Sequence, residues 1–112
     1  MSDMVDIERA LHYLKTVAAE YAKQKAHVVY LTEFRKSKKA ILIREAERNG
    51  LKTGQERESY AYSHEEYLTL LDGLKVATEE SERLRIMVKT AEMQIDVWRS
   101  QNARAVAEMK LR

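Results

Sequence analysis

From Met4 the apolar positions recur at alternating three- and four-residue steps through Ile7, Leu11, Leu14, Ala18, Tyr21, Lys25 and Val28, with Lys25 as the one polar interruption. That period is the seam of a coiled-coil helix. After Val28 the apolar set becomes Leu31, Phe34, Ile41, Leu42 and Ala46, which predicts a register slip near the middle of a helix that continues over 3–49. Asn49-Gly50 supplies the left-handed residue that commonly ends a helix, and the polar stretch 52–55 follows it.

Two helix starts come next. Thr53-Gly54-Gln55-Glu56 and Ser63-His64-Glu65-Glu66 both fit a capping box, in which hydroxyl and carboxylate satisfy free backbone N–H groups reciprocally. They predict a short helix over 55–62 and a long one over 64–110. In the long one, Tyr67, Leu70, Leu74, Ala77, Ser81, Leu84, Val88, Ala91, Ile95, Trp98, Asn102, Ala105 and Met109 keep unbroken heptad spacing. Ser81 and Asn102 are its polar seam positions. Two such helices, each roughly 70 Å long at ~1.5 Å per residue, joined by a short turn, fold back antiparallel.

The expected fold class is therefore all-α. The chain reads as one domain over 1–112, a long antiparallel, coiled-coil-like helical hairpin with a short helix at the turn. Such a hairpin is too thin to cover a second set of apolar side chains, Leu68, Leu71, Ile86, Met87, Met93 and Val97, so a homo-oligomer is expected.

Composition agrees with helix throughout: no proline and three glycines in 112 residues. The absence of cysteine removes disulfides, thiolate metal sites and cysteine nucleophiles, and leaves a reducing cytoplasm as the default expectation. No basic region followed by an apolar run opens the chain, and no window approaches a membrane span, so neither export nor membrane anchoring is expected.

Catalytic chemistry has no visible constellation. His12, His27 and His64 do not fall at metal-ligand spacing, and there is no Glu-x-x-His. The run Glu79-Glu80-Ser81-Glu82 is a charge run without a paired acid in an apolar setting, and Gly50, Gly54 and Gly73 are too scattered for a phosphate loop. Trp98 sits on the seam as a packing residue or subunit contact. We expect no enzyme, no metal and no cofactor.

The net charge of +2 conceals segregation. Residues 1–30 carry four basic and four acidic groups, 31–57 eight and four, 58–82 one and seven, and 83–112 seven and three. In an antiparallel hairpin the basic 31–57 stretch lies beside the acidic 58–82 stretch, and mutual neutralisation is one reading. The other is a phosphate-binding strip of Arg35, Lys36, Lys38, Lys39, Arg44, Arg48, Lys52 and Arg57. Four of the five residues 35–39 are cationic, so they surround the helix and cannot all face one acidic neighbour. Tyr60 and Tyr62 follow, and aromatic rings beside a cationic groove hold single-stranded bases by stacking. A second basic set, Arg83, Arg85, Lys89, Arg99, Arg104, Lys110 and Arg112, is spread through the last helix as a solvated face.

The order of Lys38-Lys39 with Arg44, Glu56-Arg57 before Tyr60, Ser63 with Glu66-Tyr67, and Asp96 with Arg99-Ser100 resembles the small helical phage recombination mediators of the UvsY type over roughly residues 28–105. The resemblance implies a ring-like homo-oligomer in the host cytoplasm that binds single-stranded DNA without strong sequence preference. It also implies contacts with a single-strand-binding protein and with a RecA-like recombinase that it helps load. Lys38, Lys39 and Arg44 are where such DNA contacts would fall. The alternatives are a coiled-coil structural or assembly adaptor, and a small regulator that docks a helical face on a protein without binding nucleic acid.

Overall fold

The structure, a computed structural model, describes residues 5–111. It is all-α: α1 spans Ile7–Arg48, α2 Gly54–Ser63 and α3 Glu65–Lys110, with no strand among the described residues. None of these helices is long and apolar enough to cross a membrane. The chain divides into two compact units, Met1–Lys23 with Glu82–Arg112, and Gln24–Ser81.

In the first unit the start of α1 runs antiparallel to the end of α3. The Val5 N–H donates to Gln101 Oε1 at 3.0 Å, while Ala10 and Tyr13 share a hollow with Gln94. Ala10, Val17, Leu84, Ala91 and Ile95 are buried, and Ile7, Leu14, Tyr21, Val88 and Trp98 half-buried. The first helix begins at Ile7, with Asp6 as its N-cap, whose carboxylate accepts the Arg9 N–H at 3.2 Å; residue 3, where the spacing starts it, lies outside the described residues. Met4, placed on the seam by its spacing, and Arg112 lie outside the described residues.

In the second unit the rest of α1 and the beginning of α3 are again antiparallel, with α2 at the turn. Leu42, Ala61 and Tyr67, one from each helix, form the buried core, and Ile43 and Leu71 pack against it. Leu71 is thus occupied within the unit and does not belong to the uncovered apolar rows. The turn is a Schellman motif: Leu51 N–H donates to Ala46 O and Gly50 N–H to Glu47 O, both at 3.1 Å. Gly50 stands at φ 91°, the left-handed position expected of it.

The seam of α3 lies where its spacing put it from Tyr67 to Trp98, every position buried or half-buried. Beyond that, Asn102 and Met109 are exposed, and Gln101 is the polar group that turns inward, toward the Val5 N–H. Along α1 the expected slip after Val28 does not occur. The less exposed positions run Ile7, Ala10, Leu14, Val17 and Tyr21 in one unit and Gln24, Val28, Leu31, Arg35, Lys38 and Leu42 in the other, in unchanged 3,4 steps. Leu11, Lys25, Phe34 and Ile41, read as seam residues, are exposed. Gln24, Arg35 and Lys38 hold seam places as half-buried polar side chains, and Lys38 does so with its ammonium paired to Glu66 of α3 at 2.8 Å.

At the first predicted start the hydroxyl half of the capping box forms: Thr53 is the N-cap of α2 and accepts the Glu56 N–H at 3.1 Å. The second does not. Ser63 is the last residue of α2, and its hydroxyl donates back to Ser59 O at 2.7 Å. His64, in an extended conformation, is the single residue between helices, and its Nδ1 accepts the Glu66 N–H at 3.1 Å. A ring nitrogen thus does the work expected of a hydroxyl.

Candidate nucleic-acid interface

The ten candidate residues all belong to the second unit, but they do not form one strip. Arg35, Lys36 and Lys39 converge with Tyr62 and Tyr67 around a hollow of about 310 Å³. Arg35 and Lys39 reach it from the less exposed side of α1, Lys36 from the exposed side, and the tyrosines from α2 and α3. Two carboxylates moderate its charge: Glu33 pairs with Lys36 at 3.2 Å, and Glu58 lies 3.7 Å from Lys39. Lys39 Nζ also sits 4.6 Å above the Tyr62 ring. The Tyr62 hydroxyl holds the Lys39 ammonium above the ordinary lysine value against the opposing effect of burial, and Glu58 adds a smaller push in the same direction.

Lys38 is turned elsewhere. It makes a 2.8 Å ion pair with Glu66 of α3, and its hydrogen bond and charge hold the Glu66 carboxyl below the usual range. Arg57 is committed to the turn, its Nε donating to Leu51 O at 2.8 Å. Tyr60 is half-buried; desolvation, then a hydrogen bond with Glu45, raises its hydroxyl above the ordinary tyrosine value, and its ring meets His64 edge-on at 5.6 Å. Tyr62 packs edge-on against Tyr67 at 5.5 Å. Both tyrosines expected to stack on bases are therefore engaged in the turn, although Tyr62 keeps part of its surface at the hollow.

Arg44, Arg48 and Lys52 are exposed and make no ion pair among the described residues. Arg44 and Arg48 share a separate row of α1 with Tyr30, Phe34, Ser37 and Ile41, again in 4,3 steps. The Tyr30 and Phe34 rings on that row are exposed and stacked, 6.0 Å between centroids and 10° between planes. Sequence reasoning missed this pair because Phe34 was assigned to the seam. The repeat of aromatic and cationic residues from 30 to 48 was the signal available. In the second basic set, Arg85 pairs with Glu82 at 2.9 Å and Arg99 with Asp96 at 3.2 Å, both within one helical turn.

No group of three or more potential metal ligands gathers among the described residues. What the geometry offers is non-covalent: a cationic, tyrosine-walled hollow of about 310 Å³. No known protein family, curated protein or solved structure matches the chain.

Proposed function

We propose that the protein is a non-enzymatic, oligomeric single-stranded DNA-binding accessory protein of phage recombination or replication. The observation that carries this reading is the convergence of Arg35, Lys36 and Lys39 on one hollow walled by Tyr62 and Tyr67. Three cations face two nearby carboxylates there, which leaves positive charge for a backbone phosphate while the tyrosine edges meet sugar or base. Repetition of that hollow around an assembly sums weak contacts into useful affinity. The resemblance to UvsY-type mediators extends the proposal to a RecA-like recombinase, which the protein would help load, and a single-strand-binding protein as partners. Fluorescence anisotropy of a labelled single strand and its duplex, at low and moderate salt, tests the proposal. Tighter binding to the single strand that weakens steeply with salt is the expected result.

A second reading, an assembly adaptor that ignores nucleic acid, is favoured by the ion pairs of Lys36, Lys38 and Lys39, which consume charge internally. Absence of binding to either oligonucleotide at low salt selects it.

A further inference from the structure

On α3, Ile86, Thr90, Met93 and Val97 follow one another at 4,3,4 steps, a second heptad row. At about 100° per residue it lies on the side of the helix away from Leu84, Val88, Ala91 and Ile95, which face α1 within the unit. Ile86 is 56% exposed, Met93 66% and Val97 49%, so the row is uncovered. Thr90 adds no unmet polar group, since its hydroxyl donates to Ile86 O at 3.0 Å.

We propose that a second copy of this chain covers this row, α3 against α3, antiparallel about a two-fold axis passing between Thr90 and Met93. In that register Ile86 lies opposite Val97 of the second copy and Thr90 opposite Met93, so every facing pair brings at least one large apolar side chain to the contact. The charges flanking the row select the orientation. Lys89 and Asp96 border it on one edge, seven residues apart, and the antiparallel arrangement sets Lys89 beside Asp96 of the second copy and Asp96 beside its Lys89. A parallel arrangement sets Lys89 beside Gln94 and Asp96 beside Gln101, which leaves both charges without a partner across the contact. Gln101 is in addition already engaged by the Val5 N–H. Lys89 makes no ion pair among the described residues, and the exposed Arg99 beside Asp96, at 3.2 Å, can share that carboxylate. The contact is independent of nucleic acid.

The chain has no cysteine, so single cysteines report the pairing directly. Full-length Ile86→Cys and Val97→Cys proteins are mixed and oxidised. The antiparallel contact yields the mixed disulfide, joining position 86 of one copy to position 97 of the other, as the main product. A product dominated by the two symmetric disulfides, or no disulfide, overturns it. Light scattering across a concentration series supplies a second readout. Lys89→Asp weakens self-association roughly tenfold by setting like charges together, and Lys89→Asp with Asp96→Lys restores it. Equal association of all three proteins, with helicity unchanged by circular dichroism, also overturns the proposal.

Discussion

Lys38 of α1 and Glu66 of α3 meet at 2.8 Å, and the lysine is the more enclosed partner, its side chain 21% exposed against 59% for the glutamate. The pair ties α1 to the first turn of α3 beside the core of Leu42, Ala61 and Tyr67. The hydrogen bond from Lys38, then its charge, depresses the Glu66 carboxyl below its ordinary value of 4.5. A carboxyl whose folded value lies below its unfolded one adds stability that is present above the unfolded value and lost as pH falls through the folded one. Melting followed by circular dichroism should therefore show a small loss of Tm on acidification below about pH 4.5. Glu66→Gln should lower Tm slightly at neutral pH and flatten part of that acid dependence. An identical acid profile in the two proteins would falsify the coupling.

The helix starts give a sharper contrast. Thr53→Ala removes the acceptor for the Glu56 N–H and should cost about 1 kcal/mol in urea denaturation. His64→Ala should cost a similar amount, about 1 kcal/mol, through the Glu66 N–H, and His64→Asn should recover most of it. Ser63→Ala should be near neutral, because its hydroxyl only bonds back within α2. If Ser63→Ala is the costly change of the three, the assignment of the α3 cap to His64 is wrong.

Leu42 is fully enclosed where the three helices meet. Truncation in Leu42→Ala should cost about 2–5 kcal/mol. Leu11→Ala, at a position that the spacing alone places on the seam but that is 51% exposed, should cost well under half as much. Equilibrium denaturation of the two proteins side by side tests the register of α1 directly.

That register shows what could be read from the sequence and what could not. The α3 seam was legible from Tyr67 to Trp98 because apolar side chains, with Ser81 alone excepted, occupy every position. On α1 the same 3,4 steps run through Gln24, Arg35 and Lys38, and a reading that follows apolar residues is drawn instead to Leu11, Phe34 and Ile41. Which side chain turns inward depends on what α3 offers opposite, such as Glu66 for Lys38, and a single helix does not carry that information. The turn was legible through Gly50, whereas the His64 cap was not, because a serine in a standard motif stood one residue away. The candidate cations were legible as residue types. Their sorting into the hollow, the Glu66 pair, the turn and the free row needed the neighbours' positions.

Sorting the cations makes the nucleic-acid proposal testable residue by residue. If a single strand enters the hollow, Arg35 and Lys36 contact phosphate, and each contact contributes about 0.7 to the slope of log affinity against log salt. Lys36 is the cleaner probe, because its side chain is 65% exposed and its ion pair with Glu33 lies on the surface of the same helix. Lys36→Ala should lower both affinity and salt slope while leaving helicity and Tm unchanged. Lys38→Ala should instead act on stability, since that lysine faces Glu66, and should leave the slope intact once the protein is folded. Arg44→Ala with Arg48→Ala separates the two faces of α1. A larger loss of slope there than in Lys36→Ala moves the strand from the hollow to the row that carries the stacked Tyr30 and Phe34 rings. Anisotropy titrations of the parent and these three variants at three or more salt concentrations decide between these positions, and flat slopes in all of them leave the charge pattern a matter of helix pairing alone.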